Sequence, residues 1–319
     1  MDLPKEYKDK INEMLEGIKL PTLRNISKNI TRTYQENKGS DNSLVNDELS
    51  AKVYAAIRLP ATYNAVRDAL KHVLEIYKEV IKSLIDVGAG SGAASLAAHS
   101  LLDLDSITCL EKEKSMMEIG KSIFLGEKID DIITYQEFDL VKDDIANKAD
   151  LVLASYVINE LKESERESAI KKMWNATNKV MLIVEPGTPS GYQNIIQIRE
   201  LILKEGGHII APCPHENACP IKKDDWCHFS IRLERDKLHK SLKEGEAPFE
   251  DEKYSYIAFS KIEVVRSGKR VLRHPIHHSN FVELNICDSD EPGIIKLGIY
   301  KNQKDSFKRA KKIRVGDKF

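Results

Sequence analysis

Ser83-Leu84-Ile85-Asp86-Val87-Gly88-Ala89-Gly90-Ser91-Gly92 is the stretch that decides the fold. A short apolar run meets a glycine turn, and Ala93 to Leu102 then reads as a helix. Strand, glycine turn and helix in that order open a nucleotide-binding α/β fold, because a glycine turn lets backbone approach a ligand at the helix start. Further strands read at 107–111, at 132–135 running on to Phe138-Asp139, at 150–154 and at 180–185. Helices fill the gaps, notably Lys112–Leu125, Glu163–Asn175 and Tyr192–Lys204. Alternation of this kind predicts a mostly parallel sheet covered on both faces.

The chain has 319 residues, enough for two domains or for one large domain with an insertion. Three stretches are expected. Residues 1–78 read as a helical region, with a polar loop at 36–43 and a firm helix from Asp47 that Pro60 should interrupt. Residues 79–208 form the Rossmann-like cofactor domain. Residues 209–319 hold a cysteine loop, a charged helical stretch to about Gly245, remaining sheet strands including 254–259, and a small β module from Arg270 to Tyr300.

Composition narrows the function. No apolar run approaches the roughly 20 residues of a membrane helix. Met1-Asp2-Leu3-Pro4-Lys5-Glu6 has mixed charge, unlike a signal or transit peptide. The five cysteines cluster as ligands do and not as a secreted disulfide framework. A monomer in a reducing cytoplasm, without membrane contact, is expected. The net charge of −1 hides an asymmetry: residues 301–319 carry eight Lys/Arg against two Asp, so the rest carries −7. A basic tail on an acidic body suggests a polyanionic partner, with a solvated C-terminal helix as the plainer alternative.

The glycine loop is ambiguous by itself. Gly88, Gly90 and Ala93 satisfy a relaxed dinucleotide fingerprint, and Glu111 lies where a ribose-binding acid belongs. Two residues favour S-adenosylmethionine over NAD. Asp86 would repel a pyrophosphate but suits the ammonium of a methionine moiety. Gly92 keeps the backbone open for a bulkier amino-acid ligand. The candidate cofactor set is Asp86, Gly88, Ala89, Gly90, Gly92, Glu111, Asp139 and Ser155, with Glu111 on the ribose hydroxyls and Asp139 on the adenine amino group. The alternative is a tight turn with no cofactor. The acceptor side is thin: Asn159 and Glu160 are the only catalytic candidates, and a cap on the next helix is the favoured reading of them.

Three cysteines crowd into Ala211-Pro212-Cys213-Pro214-His215-Glu216-Asn217-Ala218-Cys219-Pro220 and Asp225-Trp226-Cys227-His228-Phe229. Thiolates are soft metal ligands, and the prolines stiffen the backbone beside two of them. Cys287 is the best fourth ligand, leaving Cys109 as an ordinary buried thiol. The spacings are unlike the paired knuckles of a zinc ribbon, and Cys-Pro pairs suit iron–sulfur clusters. Zinc remains the alternative, with His215 or His228 in place of Cys287.

These segments, with Arg58-Leu59-Pro60-Ala61-Thr62-Tyr63, Glu185-Pro186-Gly187-Thr188-Pro189 and Glu250-Asp251-Glu252-Lys253-Tyr254-Ser255-Tyr256, resemble a known family. It is the methyltransferase-like group that includes the mitochondrial small-subunit ribosome assembly factor and its bacterial and archaeal relatives. The resemblance runs from about residue 50 to the end. It implies a class I S-adenosylmethionine-dependent methyltransferase fold and a four-iron four-sulfur cluster on Cys213, Cys219, Cys227 and Cys287. It also implies binding to the small ribosomal subunit, with the basic tail as an rRNA contact. Methylation of rRNA and a catalytically inactive assembly role are both compatible with it. The absent transit peptide points to a prokaryotic, cytoplasmic member.

Overall fold

The computed structural model describes residues 3–36, 45, 47–222, 224–243, 247–266, 268–290 and 293–319. Of the polar loop expected at 36–43, Glu36 ends helix Leu20–Glu36, while 37–43 and the end of the helical stretch at Gly245 fall outside the described residues. Three helices lead in: α1 (Lys5–Met14), α2 (Leu20–Glu36) and α3 (Glu48–Leu74). The α/β part follows as β1 (Ser83–Val87), α4 (Ala93–His99), β2 (Ser106–Glu111), α5 (Lys114–Phe124), β3 (Ile133–Glu137), β4 (Ala149–Ser155), α6 (Glu163–Ala176), β5 (Thr177–Pro186), α7 (Pro189–Lys204) and β6 (His208–Ala211). Then come β7 (Phe229–Glu234), α8 (Lys237–Leu242) and β8 (Phe249–Ser260). A small sheet closes the chain: β9 (Lys269–Val271), β10 (Ile276–His277), β11 (Phe281–Asp288) and β12 (Ile294–Tyr300), with α9 (Lys304–Ala310).

The main sheet runs β3-β2-β1-β4-β5-β8-β6. Strands β1 to β5 pair in parallel, and β8 enters antiparallel beside β5. This is the class I methyltransferase arrangement, and the order reverses between β1 and β4, where such sheets bind ligands. Both faces are covered. One core gathers Leu84, Ile107, Leu151 and Leu182 under α3, and the other gathers Ile85, Val152, Met181 and Ile257 under α6 and α7.

Helix α3 does not stop at Pro60. It runs unbroken from Glu48 to Leu74 with Pro60 inside it. A mid-helix proline costs about 3 kcal/mol. The helix is buried on both sides of it, at Ala51, Ala55, Leu59, Ala65 and Ala69, so packing on the sheet outweighs the lost hydrogen bond. Asn64 donates from Nδ2 to the Pro60 carbonyl at 2.8 Å, and Asp47 caps the start by accepting from Ser50 N–H at 2.9 Å. Tyr254 O–H donates to Asp68 at 2.6 Å and ties α3 to β8.

The stretch after the cysteine loop is not all helix. Phe229-Ser230-Ile231-Arg232-Leu233-Glu234 alternates apolar and polar with a period of two, and it forms β7. Strands β6 and β7 lie along the same side of β8, at Ala211↔Ala258 and Phe229↔Tyr254. The cysteine loop is thus an insertion between two halves of one sheet edge, its ends four β8 residues apart. The stretch 209–319 supplies β7 and β8 to the main sheet as well as the separate small sheet, whose core is Val271, Val282, Leu284, Ile286 and Ile299 beneath Ala310 and Ile313.

Gly187 follows β5 where the chain grazes β8. A Cβ there would lie 2.6 Å from the Lys253 carbonyl carbon. Gly187→Ala should therefore lower stability by about 1–3 kcal/mol through overpacking. A urea titration measures it, and an unchanged midpoint would show that the end of β5 moves freely from β8.

Candidate functional site

The first site lies at the carboxyl ends of the parallel strands. Gly88, Gly90 and Gly92 have φ of +65°, +55° and +81°, values that favour glycine. A Cβ on Gly88 would strike Val157 at 2.4 Å, and one on Gly92 would strike the Phe124 ring at 2.4 Å, so Gly92 makes way for core side chains and not for the expected ligand; at Gly90 the nearest atom is Met116 Cε at 3.5 Å. The loop is pinned by Gly88 N–H to the Leu110 carbonyl, 2.8 Å, and by Gly90 N–H to Glu111 Oε2, 2.6 Å. Glu113 N–H reaches the other Glu111 oxygen at 2.8 Å.

Asp86 is fully buried. Its Oδ2 accepts from Ser95 N–H and Oγ–H at 2.9 and 2.7 Å, while Oδ1 has no partner. Burial lifts its carboxyl to about 7 against those bonds, and Glu111 adds like charge. Glu185, at the end of β5, is also fully buried. Asn194 donates to its Oε2 at 2.8 Å, and Oε1 is unpartnered. Burial pushes it up to about 8, with Glu160 contributing repulsion. Glu160 keeps solvent contact but is hemmed in by protein, and desolvation followed by Glu111 and Glu113 raises its carboxyl. Asp86, Glu111, Glu160 and Glu185 thus form a run of neighbouring acids near the carboxyl ends of the strands, Asp86 and Glu185 with no exposed surface. Such a crevice repels pyrophosphate and suits a cation.

The remaining predicted residues sit around it. Ser155 ends β4 opposite Val184. Asp139 is held by Val141 N–H at 3.0 Å and by Lys112 and Lys142 at 3.4 and 3.2 Å. Asn159 is buried in a short turn with Glu160, and neither caps α6. There Glu165 accepts from Lys162 N–H at 3.1 Å. The sequence reading missed Tyr156. It takes φ of +64°, a strained value for tyrosine, and its O–H donates to Glu252 Oε1 at 2.9 Å. Arg58 binds the same carboxylate at 3.1 Å and lies 5.2 Å over the Tyr156 ring. The available signal was the pairing of Arg58 and Glu252, which stand in two of the quoted motifs.

The second site is a cavity. Cys213, Cys219, Cys227 and Cys287 all line it, with Pro212, Pro214 and Pro220 between them and Tyr192, Ile195, Ile196 and Arg199 from one face of α7. Cys213 follows β6, Cys227 precedes β7 and Cys287 lies in β11. Among the described residues, no three His, Cys, Asp or Glu side chains converge as a single-ion site. His215 sits behind Cys287, Nε2 to Sγ 3.5 Å, and His228 turns to the Trp226 carbonyl at 3.2 Å. Neither histidine is among the cavity lining. Cys109 is buried in β2 against Ser95, apart from the cavity.

Two cations, Arg199 and Arg270, line the cavity with the four thiols. Arg199 is 4% exposed and Arg270 5%. Arg199 donates to the His215 and Asn217 carbonyls at 3.2 and 2.5 Å, and its Nε has no partner. Arg270 donates to the Pro212 carbonyl at 3.0 Å and to that of Gly316. Neither pairs with a carboxylate among the described residues. Burial pushes the Cys287 thiol up to about 12, with Cys213 and Cys219 adding to it and Arg199 opposing. Arg199 was legible as a charge at i+7 on the Tyr192 face of α7, and Arg270 carried no signal in sequence.

A class I methyltransferase fold with a four-cysteine cavity beside its sheet is the class these features define. The chain belongs to the family described as mitochondrial small ribosomal subunit Rsm22, whose model matches residues 48–319. It is 27% identical to the human mitochondrial ribosome assembly protein METTL17, over 56% of this chain and 42% of that one. It is 20% identical to the mitochondrial Rsm22-cox11 tandem protein 2 of Schizosaccharomyces pombe, over 99% of this chain and 49% of that one. The chain therefore spans about half the length of the curated relatives it matches. Among solved structures it is similar to the N-methyltransferase NodS from Bradyrhizobium japonicum in complex with S-adenosyl-L-homocysteine. The TM-score is 0.44 at 11% identity, covering 74% of this chain and all of that one.

The buried Asp86 gives a pH signature. Its folded pKa lies above the ordinary carboxylate value, so the folded state holds the proton longer than the unfolded state. Stability is then lost as pH rises from about 4 to about 7. Asp86→Asn removes that loss. The melting-temperature difference between variant and wild type should grow in the variant's favour across this window, and a constant difference would contradict the assignment.

Proposed function

We propose that the chain binds S-adenosylmethionine at the glycine loop, holds an iron–sulfur cluster on Cys213, Cys219, Cys227 and Cys287, and acts in assembly of the small ribosomal subunit. The carrying observation is the cavity where four thiols from separate parts of the fold meet two buried guanidiniums that lack carboxylate partners. A buried unpaired charge costs several kcal/mol, and an anionic group between the arginines offsets it. Four thiolates on a cluster of net negative charge supply that anion. Zinc on four thiolates would also be anionic, but a single ion needs its ligands converged at about 2.3 Å, and among the described residues no three such side chains converge that way.

At the other site the fit favours a cation. Gly90 leaves room for a ligand beside the backbone. Asp86 Oδ1 and Glu185 Oε1 lack partners, and Glu111 borders the loop. Bound S-adenosylmethionine would supply a methyl group on a sulfonium, with its ammonium against these acids. Asp86, Gly88, Ala89, Gly90, Gly92, Glu111 and Ser155 are the residues proposed to hold it. Asp139 would reach the adenine only by exchanging its lysine partners. NAD fits the acidic crevice poorly.

The ribosomal part rests on the family, on the name of the human relative, and on the tail. All eight Lys and Arg of 301–319 are exposed, as contact with a polyanion requires. The five free thiols support a reducing compartment, the cytoplasm in the sequence reading, while the named relatives are mitochondrial. Methyl transfer to rRNA is the second reading, and Glu160 favours it. Its carboxyl opens to solvent in the crevice and titrates nearer neutrality than an ordinary glutamate, as a general base requires.

Sedimentation of the protein with small subunits from its host, in methyl-labelled S-adenosylmethionine, tests both. Binding that weakens as salt rises is expected. Label in the rRNA with wild type but not Glu160→Gln would establish methyl transfer. Binding without label would favour a non-catalytic assembly factor, and no co-sedimentation would refute the ribosomal reading.

A further inference from the structure

The small sheet has one filled face and one open face. Val282, Leu284 and Ile286 of β11 enter the core beneath α9. Alternate residues Phe281, Glu283 and Asn285 face the other way, opposite Tyr300, Gly298 and Lys296 of β12. On this outer face three rings stack in a row. His278 and Phe281 have centroids 4.1 Å apart at 11°, and Phe281 and Tyr300 are 5.2 Å apart at 29°. The row is not buried: Tyr300 is 52% exposed, and His278 is exposed with it.

Gly298 permits this arrangement. A Cβ there would lie 3.3 Å from the Tyr300 ring, a tight contact, and at an ordinary 3.7 Å from that of Phe281, so the glycine eases the seating of the Tyr300 ring. An aromatic ring over a cross-strand glycine can serve the sheet alone. That role does not call for an exposed third ring or for the charge around it. Lys296 shares the face, Lys301 follows Tyr300 directly, and Lys304 opens α9, all exposed. The segment 301–319 carries eight Lys/Arg against two Asp, while the rest of the chain carries −7.

Exposed rings flanked by cations suit unpaired bases and their phosphates. Each base offers a face for stacking, and the backbone tracks positive charge. A duplex keeps its bases stacked internally, so it would meet only the lysines. We infer that the outer face of β10, β11 and β12 is a binding surface for single-stranded RNA, with bases stacked on the Tyr300, Phe281 and His278 row and phosphates on Lys296, Lys301 and Lys304. The choice of RNA over another polyanion rests on the ribosomal reading above. The stacking surface itself rests on the rings.

The full-length protein is titrated into a fluorescein-labelled 12-nucleotide RNA and into the duplex of the same sequence, by anisotropy at several salt concentrations. The single strand should bind more tightly than the duplex. Tyr300→Leu should weaken single-strand binding about tenfold, leave the salt slope unchanged, and keep the wild-type melting temperature. Tyr300→Phe, which keeps the ring, should bind like wild type. Lys296→Ala with Lys301→Ala should flatten the salt slope. Tyr300→Leu binding the single strand as wild type does, or equal affinity for duplex and single strand, would overturn the stacking surface. Neither result would touch the ribosomal reading, which fails separately if the wild type does not sediment with small subunits. Binding of neither RNA by wild type would also overturn the inference and leave the face to a protein partner.

Discussion

Two guanidiniums buried against four thiols are the constraint on which the C-terminal half depends. Arg199 comes from α7, Arg270 from β9, and both donate to carbonyls of the cysteine loop or the chain end. They therefore knot the main sheet, the loop and the small sheet at one place. Hydrogen bonds to carbonyls satisfy donors, but they do not neutralise charge. Leaving a buried cation unpaired is among the costlier defects a fold can carry. The proposed anionic cluster would remove that defect and so strengthen the joint. Arg273 adds a lighter tie outside the cavity, donating to Asp225 and to the Trp226 carbonyl at 2.5 and 3.2 Å.

The cofactor crevice and the cysteine cavity are not independent pockets, because β8 serves both. Ser255 on β8 donates to the Cys227 carbonyl at 2.7 Å. Three residues earlier, Glu252 takes the Tyr156 O–H and the Arg58 guanidinium at the crevice. Trp226, beside Cys227, donates to the Gly187 carbonyl at 3.0 Å, just past the end of β5. The strained backbone of Tyr156 persists because the Glu252 bond and the ring stacked under Arg58 hold it. The crevice is thus shaped from the side where the cysteines lie, as well as by its own glycine loop.

Sequence patterning revealed the α/β half well, because each of its signals is local. Ser83–Val87 followed by three glycines required little beyond neighbouring residues, and β1 has the expected bounds. The failures came where tertiary contacts decide. Pro60 should have broken α3, but burial on both sides carried the helix through. Phe229–Glu234 alternates as a strand does, yet its charges suggested a helix. The four cysteines were legible by type and by proline neighbours, and they do line one cavity. Of their counter-charges, Arg199 was legible on the Tyr192 face of α7, but Arg270 was not, since it is 58 residues along the chain from Pro212, whose carbonyl it meets only in the folded structure. Asn159 and Glu160 could not be assigned from sequence, because the cap they imitate is made by Glu165.

The proposed iron–sulfur cluster would set its negative charge against the two buried arginines. The most direct measurement is iron, acid-labile sulfide and zinc content of anoxically purified protein, read with its visible absorption spectrum. A brown protein with about four iron and four sulfide per chain is expected, with loss of both in Cys287→Ser. A colourless protein carrying one zinc per chain, or no metal at all, would contradict it.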